Sequence, residues 1–237
     1  MKTTVPIYQL KRKAKLLARQ TSTPLHAALD RIAIEQGYRS WSLLSAKHAE
    51  TSPAEILYRS LKQGDMLLVG ARPRQGKTLM ALSLAIEAMK AGNSAFFFSL
   101  DYTPADILGR FRALEVEPQR FGDQFSFNCS DAINAGYMIE ALETAAAGTL
   151  VVVDYLQLLD QRRENPPLAD QVSTLESFAR KRGLIIVFVS QIDRAYDAAA
   201  KPLPDIADVR LPNPIDLSQF SRTCFLQGGS VAFRPNG

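Results

Sequence analysis

The sequence predicts an α/β fold with a mostly parallel central sheet, preceded by a small helical N-terminal module. Three observations carry that expectation. The first is an apolar run, Met66-Leu67-Leu68-Val69, leading into Gly70-Ala71-Arg72-Pro73-Arg74-Gln75-Gly76-Lys77-Thr78, with a helical pattern from Leu79 onward. Strand, glycine-containing loop, Lys-Thr and helix is the setting of a phosphate loop. The second is a set of further apolar runs at Ala95–Leu100, Leu150–Val153 and Leu184–Val189, with helical patterns near 77–91, 103–115, 131–147 and 167–182. These runs are continuous rather than alternating, as strands covered by helices on both faces must be. The third is a charge imbalance. Residues 1–50 hold nine Lys/Arg and three Asp/Glu, a net +6, whereas the rest holds nineteen and twenty-one, a net −2.

The elements follow in order. Residues 6–49 read as three short helices: one with Leu10, Ala14, Leu17 and the basic group Lys11-Arg12-Lys13, one from Thr23-Pro24 to Gly37, and one at Ser40–Leu44. Proline suits a first helical position, where no amide donor is needed. Trp41 is the expected anchor of this module's core. Thr51-Ser52-Pro53 reads as a hinge, dividing the chain into a basic helical module, 1–50, and an α/β domain, 51–237. A helix through Ile56, Leu57 and Leu61 is expected to end near Gly64-Asp65. A weaker strand is expected at Gln124–Phe127. Cys224–Leu226 and Val231–Phe233 form a closing strand pair through Gly228-Gly229. Between them and the third apolar run, Pro202 to Pro214 holds four prolines and reads as irregular.

Composition excludes several classes. At 237 residues and 46% hydrophobic, the chain can bury a proper core. No apolar run approaches the ~20 residues that span a bilayer. Met1–Pro6 lacks the apolar stretch of a secretory leader. The two cysteines, Cys129 and Cys224, lie far apart without metal spacing. Buried free thiols in a reducing cytosol are expected. His26 and His48 are the only histidines, which argues against a histidine-based catalytic or zinc site. The basic N-terminal region fits either contact with a polyanion such as nucleic acid or a solvated helix face.

The chemistry concentrates at strand ends, where doubly wound sheets place their sites. In the loop Ala71-Arg72-Pro73-Arg74-Gln75-Gly76-Lys77-Thr78, successive amides are expected to surround the β-phosphate of a nucleoside triphosphate. Gly76 permits close backbone approach, Lys77 reaches the β- and γ-phosphates, and the Thr78 hydroxyl suits Mg²⁺. The usual opening glycine is displaced: Ala71 holds its position and Gly70 precedes it. Arg72 and Arg74 either brace this loop or face a neighbouring subunit. Asp154, at the tip of Thr149–Val153, is the expected holder of the Mg²⁺. Asp101, after Ala95–Leu100, either orients the attacking water or caps the helix near Thr103-Pro104. Gln191, after Leu184–Val189 and Ser190, either senses the γ-phosphate or bonds backbone at the strand end.

These motifs together resemble the DnaB-type replicative helicases. Gly70–Pro73 with Gly76-Lys77-Thr78 is similar to that family's phosphate loop, and Asp154-Tyr155-Leu156-Gln157-Leu158 to its second nucleotide motif. Ser99-Leu100-Asp101 and Ser190-Gln191 fall in its order and spacing, and Asp208-Val209-Arg210 resembles a later motif near its DNA-contacting loops. The resemblance covers roughly residues 54–233. It implies a RecA-like core that hydrolyses ATP with Mg²⁺, as a homo-oligomer of the hexameric-ring kind, on single-stranded DNA during replication. It makes Lys77, Asp101, Asp154 and Gln191 the catalytic group, with Arg194, Lys201 and Arg210 the candidates for DNA contact. Two departures stand out. The family carries Glu where this chain has Asp101, and its collar domain is replaced by the basic helices. The family's trans-acting arginine finger has one candidate here, Arg234, followed at once by Pro235.

Overall fold

The structure is a computed structural model describing residues 7–50, 52–160, 162–211 and 213–236. Met1–Pro6 of the leader reading, Thr51 of the expected hinge, Pro212 of the irregular stretch and the terminal Gly237 lie outside the described residues.

The three N-terminal helices form as expected: α1 (Ile7–Thr21), α2 (Leu25–Glu35) and α3 (Trp41–Glu50). They enclose their own core of Leu10, Ala14, Ala28, Ile32, Ala33 and Leu44, with Trp41 packed against it. The Trp41 amide donates to Asp30 Oδ1 at 2.8 Å, tying α3 to α2. Helix α4 (Pro53–Ser60) begins where Ser52 Oγ accepts the Glu55 amide at 3.0 Å. It stops at Ser60, short of the expected Gly64. Ser60 Oγ donates to the Leu57 carbonyl, and Leu61 is already extended (φ −78°, ψ 148°).

Seven strands follow: β1 (Met66–Ala71), β2 (Ala95–Ser99), β3 (Phe125–Asn128), β4 (Leu150–Asp154), β5 (Ile185–Gln191), β6 (Arg222–Gln227) and β7 (Ser230–Pro235). Their order across the sheet is β3-β2-β4-β5-β1-β6-β7, parallel throughout except for the β6–β7 hairpin. The interleaved helices are α5 (Lys77–Lys90), α6 (Pro104–Ala113), α7 (Ala135–Ala141) and α8 (Leu168–Arg182). Alternate residues of each strand feed opposite cores, which is why the apolar runs are unbroken. Leu67, Val69, Val152 and Val187 pack with α5, whereas Met66, Leu68, Val151 and Phe188 pack with α8. Fully burying each such side chain contributes about 1.5–3 kcal/mol.

Two further expectations need correction. Helix α7 spans Ala135–Ala141 rather than 131–147. Asn134 Oδ1 accepts the Tyr137 amide at 3.0 Å and fixes the start. At the other end, Arg182 donates to the Glu143 and Ala145 carbonyls, and the Gly148 amide turns to Gly183. The alanine-rich stretch is thereby held in turns despite its helix propensity. Of the two cysteines only Cys224 is buried, with its thiol pushed up to about 12 by burial. Cys129 lies just past the edge strand β3 and is exposed, so burial does not extend to both thiols.

Candidate functional site

The phosphate loop leaves the carboxyl end of β1 and closes into the first turn of α5. Arg74 (φ 65°) and Gly76 (φ 93°) take the left-handed conformation that turns the loop on itself. Gly76 occupies the cap of α5 and supplies no side chain, so the first amides of the helix remain directed at the loop's interior. Gly70 serves a different need. A Cβ there would meet the Phe225 ring at 2.6 Å, so the displaced glycine is what lets β1 lie against β6. Gln75 Oε1 accepts the Gly228 amide at 2.9 Å and steadies the loop from the β6–β7 turn.

Asp154 ends β4, level with Val189 of β5, which separates it from β1. It is fully buried, and neither carboxylate oxygen has a partner at full hydrogen-bond geometry, although the Thr78 hydroxyl lies near enough to favour the charged form. Burial holds its pKa above the ordinary carboxylate value. The Lys77 ammonium and then the Thr78 hydroxyl pull the other way, and Asp101 pushes it further up. Lys77, Thr78, Asp101 and Asp154 are thus brought to one corner. Asp101 is exposed and does not cap α6; Thr103 does, reciprocally with Asp106.

Two neighbours of this corner lie beyond the reach of the sequence patterns. The buried Thr78 hydroxyl lies 3.3 Å from the Tyr102 hydroxyl, and the Arg110 guanidinium stacks 3.9 Å above the Tyr102 ring. Their position after Asp101 is the only signal the sequence offers; the contacts arise because α6 folds back over α5.

Gln191 sits beside Ala71 in the β1–β5 ladder, so its strand end touches the start of the phosphate loop. Its carbonyl accepts the Arg210 amide at 2.8 Å, and Ile192 bridges Val209. Gln157 Nε2 ties the same region together, donating to Ser190 Oγ (3.1 Å) and to the Arg210 carbonyl (2.6 Å). Arg194 and Arg210 are exposed side chains on this loop. Lys201 is committed to Asp205 and Asp208, each at 2.6 Å. Its pKa is raised by those two carboxylates, Asp205 first, and Asp205 is lowered in return. Arg72 turns from the phosphate loop to donate to the carbonyls of Asp193, Arg194 and Tyr196, bracing the loop after β5. Pro73 and Arg74 are exposed at the loop's outer turn. Arg234 lies on the edge strand β7 opposite Thr223, which pairs with Leu68 midway along β1. It is therefore set back from its own chain's phosphate loop.

A cavity of about 790 Å³ opens at the loop, lined by Arg74, Lys77 and Thr78 on one side and by Tyr102 and Arg110 on another. That volume is in the range of small-molecule sites. A second cavity, about 310 Å³, lies across α5 and includes no phosphate-loop residue. The residues fit a magnesium nucleotide. A buried, unpartnered carboxylate beside a hydroxyl and an ammonium is a donor set that a hard cation with phosphate oxygens would satisfy. Among the described residues no group of three or more His, Cys, Asp or Glu could hold a metal ion.

A glycine-bent loop feeding a helix from the middle of a parallel sheet, with a buried acid one strand beyond its neighbour, defines a RecA-like core of the phosphate-loop class. Comparison with known proteins narrows this. Residues 55–121 match the family described as DnaB-like helicase C terminal domain. A Chlamydia trachomatis protein named "Probable plasmid replicative DNA helicase" is 25% identical over 181 residues, which is 63% of this chain and 40% of that one. A solved structure described as an ATPase domain superposes with a TM-score of 0.56 at 16% identity, covering 77% of this chain and 80% of that one. A DnaB-like replicative helicase, solved in a study of its interactions with primase, gives a TM-score of 0.59 at 17% identity over 92% of this chain and 66% of that one. The resemblance to the DnaB-type helicase C-terminal domain, and the RecA-like fold with it, is shown. The chain spans about 40% of the length of the curated helicase it matches. No helix among the described residues is long and apolar enough to cross a membrane.

Proposed function

We propose that this chain binds ATP with Mg²⁺ at the phosphate loop and hydrolyses it, as a homo-oligomer acting on single-stranded DNA in the manner of DnaB-type helicases. The observation that carries the reading is the buried Asp154 carboxylate, unpartnered beside Lys77 and Thr78. Mg²⁺, when bound, supplies charge neutralisation on the phosphates. Asp154 and Thr78 would hold it, Asp154 through water. Lys77 and the amides that open α5 would hold the phosphate tail, Pro73 having no donor to offer. Asp101 would orient and deprotonate the attacking water, and Gln191 would register loss of the γ-phosphate. The Gln191–Arg210 and Gln157–Arg210 bonds offer a route from that event to the loop bearing Arg194 and Arg210. Those two arginines are the better-placed DNA contacts, since Lys201 is already paired. In this reading 1–50 would be a basic helical module and 51–237 the ATPase domain. Arg234 would act only on a neighbouring subunit's site.

The test is calorimetric titration with Mg²⁺ and a non-hydrolysable ATP analogue. Lys77→Ala is expected to weaken binding at least ~100-fold while leaving the fold intact, since it removes a charge-assisted contact to phosphate and leaves that charge uncompensated. Wild-type affinity in that variant would remove the reading.

One observation favours a second reading, a nucleotide-gated switch with little turnover. Asp101 is exposed and one methylene shorter than the family's glutamate. ATPase assays with and without single-stranded DNA separate the two. Strong stimulation selects the motor; tight binding without turnover selects the switch.

A further inference from the structure

The helical module reaches the nucleotide corner. The wall of the large cavity facing the phosphate loop is α1, through Leu10, Arg12 and Lys13. Leu10 and Ala14 are buried in the module's own core, which turns the basic side of α1 outward. Lys11 pairs with Glu115, just past α6, and ties the helix to the core beside the smaller cavity. Lys13 is neutralised by Glu35 at 2.8 Å. Arg12 is exposed and, among the described residues, has no ion-pair partner. The cavity therefore gathers Arg12, Arg74, Lys77 and Arg110 against a single lining carboxylate, Asp106. That carboxylate is already engaged by the Thr103 amide and hydroxyl at 2.9 and 2.7 Å. A cavity with this excess of cations selects a multiply charged anion.

We propose that α1 is the outer wall of the nucleotide site and that Arg12 binds the phosphate tail in cis. This rests on the nucleotide-binding reading above and adds a ligand from outside the RecA-like core. A guanidinium presents paired donors that match phosphate oxygens. Bound between Lys77 and Arg12, the nucleotide joins the core to the helical module. Binding then draws α1 onto the core, and loss of the terminal phosphate releases it. The module would report nucleotide state without any change in the sheet.

The experiment titrates the full chain with Mg²⁺ and a non-hydrolysable ATP analogue, comparing wild type, Lys77→Ala, Arg12→Ala and Arg12→Lys. Amide hydrogen exchange of residues 7–21 is followed with and without the analogue. Arg12→Ala is expected to weaken binding roughly tenfold or more, the usual effect of losing a charge-assisted contact, with unchanged thermal stability. Arg12→Lys should restore part of it. Ligand-induced protection of α1 should appear in wild type and vanish in Arg12→Ala. If wild type binds, Lys77→Ala does not, and Arg12→Ala matches wild type in affinity and exchange, the cis wall is overturned while the nucleotide site stands. If wild type itself fails to bind, the nucleotide reading falls, and this inference with it.

Discussion

Two loops leave the carboxyl edge of the sheet side by side, and they treat charge in opposite ways. The loop after β5 satisfies itself. Lys201 is held by Asp205 and Asp208, the Arg72 guanidinium by three carbonyls, and the Arg210 backbone by Gln191 and Gln157. The phosphate loop, apart from the Arg72 it lends to that neighbour, ends at a charge that is not satisfied. Lys77 lies beside a carboxylate that is fully buried and has no partner at full hydrogen-bond geometry. A buried, unpaired carboxylate is costly in any folded protein. One region is arranged for its own rigidity, and the other keeps a buried carboxylate at a cost to the fold.

That contrast is most easily broken at Asp154. Its folded pKa is raised above the ordinary 3.8, so the native state keeps this proton longer than the unfolded chain does. The group's contribution to stability is therefore most favourable at low pH, and falls as pH rises from 3.8 through the folded value. Asp154→Asn should flatten that fall and stabilise the ligand-free protein at neutral pH, since it removes the cost of ionising a buried carboxyl. The same change should weaken Mg²⁺ dependence of nucleotide binding roughly 10–100-fold. Thermal melts across pH and magnesium titrations check both halves. A variant less stable than wild type at pH 7 would contradict the account.

A second substitution sharpens the comparison. If hydrolysis is limited by the reach of Asp101, Asp101→Glu should raise kcat by up to ~100-fold, the scale of an ångström's misplacement. Steady-state ATPase assays decide it, and an unchanged or lower rate supports the switch. The smallest effect is expected in the self-satisfied loop. The Lys201 side chain is more than a third exposed, so its ion pairs are screened by solvent. Lys201→Ala should therefore leave the urea unfolding midpoint close to that of wild type. Nucleotide affinity should not move, whereas proteolysis within residues 192–220 should quicken.

What the sequence disclosed follows the range of the interactions. The strands were legible because both faces are covered, leaving runs such as Leu150–Val153 without a polar break. The turn after β1 and the place of Asp154 at the end of β4 were legible because a strand end is marked by the local pattern. Helix α7 was overextended because the propensity of Ala145-Ala146-Ala147 is local, whereas the Arg182 contacts that hold Glu143 and Ala145 come from 37 to 39 residues away. Tyr102 over Thr78, Arg72 on the β5 loop and α1 across the cavity were not legible at all. Each depends on which elements become neighbours, and nothing in the local pattern encodes it.

The bond between Gln75 and the Gly228 amide has a temporal consequence. These residues lie 153 positions apart, and β1 also needs β6 for a neighbour. Closing so long a span comes late when a chain collapses, after its nearby contacts have formed. During synthesis the loop after β1 would leave the ribosome well before the β6–β7 hairpin and gain this brace only when that hairpin follows. A half-made copy would carry the loop without its distant support.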